Sequence, residues 1–286
     1  MIWVTRSAYN LATKRDVSND IFLKNPAGEE GACAPRPARA RGGLLTLGVE
    51  TATEERSVAV ARGARLLALR TCELRGTGAG VLEEVDRALA SARVPLEEVE
   101  LFAAAKGPGS FTGLRSGLAT LKALAATLRR PVVGVPTLHA LAHAARPAPR
   151  LVALIPAGRG EVFAQLLGVN EAGVVEELGG PEHVPPARLL ERLGGSGGGL
   201  KWAGGGALKY LGLIRDAAVA AGLRFTRAAD SAASPAGDEW ALAPTHAGLA
   251  ADVASLGQLI YEGGGASGAG DLRALYVRPS DAELKG

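Results

Sequence analysis

Cysteine is almost absent from this 286-residue sequence: Cys33 and Cys72 cannot build a disulfide framework or a cysteine-rich zinc site, which suits a reducing, cytoplasmic setting. Aromatic residues make up only 4% and methionine occurs once, so the cores must be assembled from Ala, Leu and Val. Although 47% of the residues are hydrophobic, no uncharged apolar run approaches the roughly 20 residues that span a bilayer, and no membrane association is expected. Net charge is scarce too. Residues 1–43 hold seven Lys/Arg against four Asp/Glu, which is the whole formal surplus of +3, and from residue 44 onward there are 25 of each sign. A neutral body with few aromatics is poorly equipped to neutralise phosphates or stack bases, so the chain alone is not expected to grip a nucleic acid.

The length admits two globular domains. Residues 1–43 lack sustained periodicity and end in a Pro/Arg stretch over 34–41, which reads as a disordered extension; a targeting peptide or an upstream start codon are the alternatives. From residue 44 the patterning predicts strands over 44–50, 57–61 and 65–74, an amphipathic helix over 82–92, a buried strand over 101–105, a long apolar helix over 110–128 and a strand over 132–135. The order then restarts, with strands over 151–155, 162–167 and 174–178 and a helix over 186–193. A strand and glycine turn follow at 202–207, then helices over 208–221 and 246–262. This repetition implies a duplicated α/β domain, divided as 44–145 and 150–262, with a hinge and tail over 263–286.

The densest motif runs from Lys106 through Gly107, Pro108, Gly109, Ser110, Phe111, Thr112 and Gly113 to Leu114, Arg115, Ser116 and Gly117. Its glycines let the chain turn sharply off a strand, Ser110 is placed to cap the helix, and Gly107, Gly109 and Ser110 could offer amides to an anion; a plain strand-to-helix turn accounts for the same residues equally well. Along the helix Leu114, Leu118 and Leu121 form a stripe that would be ordinary core, while Ala119, Ala123 and Ala126 off the stripe hint at a second covered face.

The run from Gly107 to Gly117 resembles the signature of the TsaB (YeaZ) family, paralogues of the threonylcarbamoyl-transferase subunit TsaD. Residues 47–53, 134–138, 159–163 and 276–279 resemble further segments of that family. The resemblance implies two ribonuclease-H-like domains in the actin/hexokinase/Hsp70-like (ASKHA) duplication. It also implies a non-catalytic scaffold that binds TsaD in the complex making N6-threonylcarbamoyladenosine beside the tRNA anticodon. TsaE, an ATPase, would join the complex, tRNA would be reached only through it, and ATP and a metal would be held by the other subunits, with no cofactor assigned to this chain. The implied TsaD interface is Leu82, Val85 and Leu89 on one helix and Phe111, Leu114, Leu118 and Leu121 on the next, drawn close by Gly113 and Gly117. The same surface would serve a homodimer when the partner is absent.

Departures from the family pattern are informative. Glu50 stands where members usually have Asp, and Pro156 where they usually have a second Asp; in ATPases of this fold such acids position magnesium and water. The His that often opens the first helix is replaced within residues 75–80. His139 and His143 have metal-ligand spacing on a helix, but their register is two residues off the TsaD histidine pattern and no third ligand lies nearby, so they read as an incidental pair. The glycine turn with Gly205 and Gly206 is a weak nucleotide signal without a phosphate-binding Lys. The competing readings are an active ATPase or sugar kinase of the actin-like fold, resting on Glu50 and that turn, and a glycoprotein endopeptidase, for which neither zinc ligands nor an activated nucleophile are visible.

Overall fold

All six residues of β1 (Leu45–Glu50) are buried because both faces of the strand are covered. Leu45, Leu47 and Val49 enter one core with α1 (Val81–Ala92) and α2 (Phe111–Leu128). Thr46 and Gly48 turn instead to α7 (Ala250–Glu262): Gln258 donates to Thr46 Oγ1 at 2.8 Å, and a Cβ on Gly48 would stand 2.5 Å from the Ala250 carbonyl oxygen. The computed structural model describes residues 42–73, 80–228, 234–244, 247–265 and 268–277. The expectations for the extension over 1–41, for the segment 74–79 ahead of the first helix, for His246, for 266–267 and for 278–286 therefore fall outside the described residues.

β2 (Glu55–Arg62) and β3 (Arg65–Glu73) continue β1 as an antiparallel meander, while β4 (Leu101–Gly107) and β5 (Val132–Pro136) lie parallel on its other side, giving the order β3-β2-β1-β4-β5. The second sheet repeats this plan around β6 (Ala148–Gly158). β7 (Glu161–Val169) and β8 (Val175–Glu177) are antiparallel on one side, and β10 (Leu200–Ala203) and β12 (Glu239–Leu242) parallel on the other. β11 (Arg224–Arg227) adds an edge and β9 (Glu182–Val184) pairs with β7. α4 (Pro186–Gly194), α5 (Gly205–Lys209) and α6 (Leu211–Ala220) cover one face of this sheet, over a core holding Trp202 and Trp240 with ring centroids 5.1 Å apart. α3 (Thr137–Ala144) covers the other through Leu138 and Ala142. The duplicated sheet order is that of two ribonuclease-H-like domains in the ASKHA arrangement. Among the described residues no helix is long and apolar enough to cross a membrane.

Several elements depart from the sequence expectation. α3 entered it only through the spacing of His139 and His143, because its eight residues are too few for an apolar period to show. The helix expected over 208–221 is two, starting at Gly205 and broken at Tyr210. The four-residue strands β11 and β12 are too short for a period to show. The last helix, grouped by sequence with the second half, packs on the first sheet, where Gly257 passes so close to Ala103 that a Cβ would come within 2.5 Å of that methyl.

α3 and α7 also meet each other, and a polar cluster fastens them. Buried His143 sets its Nδ1 2.7 Å from Asp252 Oδ1, and Arg146 Nη1 donates to the His143 carbonyl oxygen at 2.6 Å while lying 3.3 Å from the same carboxylate oxygen. Fully buried Lys201 donates from Nζ to the carbonyl oxygens of Ala145 (3.2 Å) and Pro147 (2.9 Å), satisfying acceptors just past the end of α3. Replacing Asp252 by Ala leaves His143 and Arg146 without their shared acceptor. A loss of about 2 kcal/mol in unfolding free energy is expected by urea titration; an unchanged midpoint and slope would show that the cluster does not hold the helices.

Candidate functional site

The glycine motif is explained by the turn it lands on. Glu50, at the end of β1, folds back to accept from the Ala52 amide (2.5 Å), the Thr53 amide (2.8 Å) and the Thr53 hydroxyl (2.7 Å), which fixes residues 51–53. Onto that turn the start of α2 settles with almost no clearance. The Ser110 amide donates to the Ala52 carbonyl at 2.7 Å, the Thr51 hydroxyl donates to the Gly113 carbonyl at 2.8 Å, and Ser110 Oγ caps the helix by accepting from the Gly113 amide at 3.3 Å. A Cβ on Gly113 would lie 1.9 Å from the Thr51 carbonyl oxygen, one on Gly117 2.3 Å from the Thr51 hydroxyl and one on Gly109 2.3 Å from the Ala52 carbonyl oxygen. Gly113 and Gly117 thus bring α2 close to its own chain, which corrects the expectation that they bring a partner helix close.

The turn forms the floor of a cavity of about 310 Å³ between the lobes, lined by Ala52 to Glu55, Ser110, Leu141, Ala144 and Ala145, Ile155 and Pro156, Ala203 to Gly205, Leu208, the 242–244 strand end and Leu249. Of the residues weighed as nucleotide or anion contacts, Ser110 and Gly205 reach this cavity. Gly107 is packed against the Leu275 carbonyl, Gly109 against Ala52, and Gly206 against Leu154, each within 2.8 Å of where a Cβ would be, so their glycines answer in-chain crowding. Of the two positions that depart from the family's usual acids, Pro156 lines the cavity without a carboxyl and Glu50 directs its own into the adjoining turn. Among the described residues no group of three or more His, Cys, Asp or Glu is placed to hold a metal ion.

The expected partner surface needs a larger correction. Val85, Leu89, Leu118 and Leu121 are sealed in the core beneath the first sheet, and Leu114 is 1% exposed beside Ala52. They face inward because a stripe that fits a partner also fits a sheet, and the sheet is nearer. Leu82 and Phe111 remain outside, 52% and 39% exposed. The outer face of α2 carries Phe111, Thr112, Arg115, Ser116, Ala119, Ala123 and Ala126, and the whole 18-residue helix has two charges, Arg115 and Lys122. Phe111 is overlaid by the Arg115 guanidinium at 3.9 Å and flanked by the Tyr276 ring at 5.7 Å, Tyr276 being 47% exposed. Tyr276 as a neighbour of this face was not foreseeable from patterning, since it lies some 165 residues along the chain; the uncharged outer positions of α2 were the legible signal.

His139 and His143 do not converge. His139 Nε2 lies 3.0 Å from Glu177, and its pKa is pushed below the ordinary value by burial, with Glu177 opposing and Lys106 adding to the shift. His143 belongs to the Asp252 cluster. Each imidazole has its own carboxylate, and the pair is structural.

Burial lifts the Glu50 carboxyl from an ordinary 4.5 to about 7, against the pull of its Thr53 and Ala52 donors and with help from Glu55. The folded state therefore holds a proton that the unfolded chain releases. Its stabilisation is complete below about pH 4.5, is lost as pH rises towards 7, and spans roughly 3 kcal/mol at ~1.4 kcal/mol per unit. Glu50→Gln should erase that slope, so that the stability difference from the parent drifts in the variant's favour between about pH 5 and 7; a difference that stays constant with pH would contradict the assignment. Gly113→Ala should cost at least about 2 kcal/mol in thermal or urea unfolding, and a neutral effect would show that α2 can back away from Thr51.

A family model described as "TsaD: tRNA N6-adenosine threonylcarbamoyltransferase" matches residues 79–253, more than half of the chain. The "tRNA threonylcarbamoyladenosine biosynthesis protein TsaB" of Haemophilus influenzae is 37% identical over 128 residues, 42% of this chain and 52% of that protein. A "tRNA N6-adenosine threonylcarbamoyltransferase" of Protochlamydia amoebophila is 32% identical over 119 residues, 36% of this chain and 35% of that protein. The chain spans about half the length, or less, of these curated relatives. Among solved structures, "YeaZ from Pseudomonas aeruginosa" superposes with a TM-score of 0.62 at 25% identity, covering 82% of this chain and 99% of that one. With its duplicated sheets, its glycine-launched α2 and these likenesses, the chain belongs to the TsaD family and, within it, to the TsaB (YeaZ) branch.

Proposed function

We propose that the chain is a non-catalytic subunit in the formation of threonylcarbamoyladenosine on tRNA, acting by docking a TsaD-type paralogue through the outer face of α2. The observation that carries this reading is the face itself: an 18-residue surface helix whose exposed positions are mostly Ala, Ser and Thr, bounded by Phe111, Arg115 and Tyr276. Surface helices ordinarily expose charge, whereas small residues allow a second helix to approach closely and an aromatic with an Arg supplies an anchor. Exposed Leu82 at the start of α1 extends the candidate surface. The names carried by the relatives support the pathway, and the replacement of a cleft acid by Pro156 supports assigning the transfer chemistry to the partner. In this reading a TsaE-type ATPase joins the assembly, tRNA is reached through it, and the same face serves self-association when the partner is missing.

The surface is tested by co-purification with a TsaD-type partner and by assay of modified tRNA in the reconstituted system. Phe111→Glu and Ala119→Glu, at exposed positions, should keep the native circular dichroism and melting transition yet weaken binding at least tenfold, since a charge would be buried without a counter-charge. Undiminished binding by both folded variants would refute the docking face. Leu118→Glu, by contrast, is expected to unfold the chain.

A further inference from the structure

The interlobe cavity has a chemistry of its own. Its walls are aliphatic, with Leu141, Ile155, Leu208 and Leu242 among them, and no aromatic residue and no Lys or Arg is found among the described residues that line it. A base would find no stacking surface there and a polyphosphate no counter-charge. What the cavity does present is negative: Glu54 and Glu55 line it, one exposed and one half-buried, and neither carboxylate has an ion-pair partner among the described residues. A third carboxyl, Glu50, lies behind the same turn.

We propose that this cavity binds a small aliphatic ammonium compound, its methylene chain against the leucine and isoleucine wall and its charged head at Glu54 and Glu55. The volume of about 310 Å³ accommodates such a chain with room for the water that an exposed carboxylate retains. Apolar walls provide affinity that grows with chain length, and the carboxylates provide the preference for a cation over a neutral or anionic compound of the same shape. Because Ala52, Thr53 and Ser110 belong both to the cavity and to the seat of α2, an occupant would also brace the helix start. The proposal is independent of the docking role and would outlive its failure.

Isothermal titration calorimetry of the full chain with hexylammonium, butylammonium, hexan-1-ol, hexanoate and magnesium-ATP tests it. Hexylammonium should bind in a saturable, one-to-one fashion and butylammonium roughly fifteenfold more weakly, at about fourfold per methylene. Hexan-1-ol should bind about five- to tenfold more weakly than hexylammonium, hexanoate weaker still, and magnesium-ATP not measurably. Glu54→Gln together with Glu55→Gln, isosteric changes at accessible positions, should bring hexylammonium down to the level of hexan-1-ol while leaving hexan-1-ol unchanged. The proposal is overturned if ammonium, alcohol and carboxylate bind equally, if no chain-length dependence appears, if magnesium-ATP binds in preference, or if the double variant binds hexylammonium as the parent does. The chain-length and charge series decides the question on the unmodified protein should the variant misfold.

Discussion

The contact between the glycine face of α2 and the turn after β1 governs the rest of the molecule. Glu50 folds its own carboxylate over residues 51–53, and the rigid knuckle so formed receives Gly109, Gly113 and Gly117 with no room for a side chain. Seating α2 there turns Leu114, Leu118 and Leu121 into the core and leaves Phe111, Arg115 and the alanine positions outside. It also places Ser110 and Thr53 on the floor of the interlobe cavity. Where the family resemblance implies a metal-holding acid, this chain has a structural latch.

That change of use ties the two halves of the functional reading together. The Glu50 carboxyl accepts from the adjoining amides, and Pro156 brings no acid from the second sheet. What the latch secures instead is the position of a helix face of small residues with Phe111 and Arg115 at its start. α7, returning from the second half to pack on the first sheet, and the His143–Asp252–Arg146 cluster between α3 and α7 then hold the lobes around the cavity.

Much of the succession of strands and helices and the position of α2 were legible in the sequence because they rest on local signals: alternating or continuous apolar runs and the glycine motif off β4. The burial of the residues expected at the interface was not, and the reason is physical. Val85, Leu89, Leu118 and Leu121 form the kind of stripe that any covered helix shows, and spacing alone does not distinguish a sheet from a partner as the cover. The informative positions were the opposite ones, where Ala119, Ala123 and Ala126 stand in place of Lys and Glu. α3 was legible only in the spacing of His139 and His143, since its eight residues are too few for an apolar stripe to repeat. Tyr276 beside Phe111, and α7 on the first sheet, are products of long-range return of the chain that no local pattern encodes.

Hydrogen–deuterium exchange of the chain, alone and saturated with a TsaD-type partner, tests the docking of α2 most directly. Slowed exchange centred on residues 111–126, spreading to the start of α1 and to the 272–277 segment, is the expected result. Protection confined to the second lobe, with residues 111–126 unchanged, would contradict it.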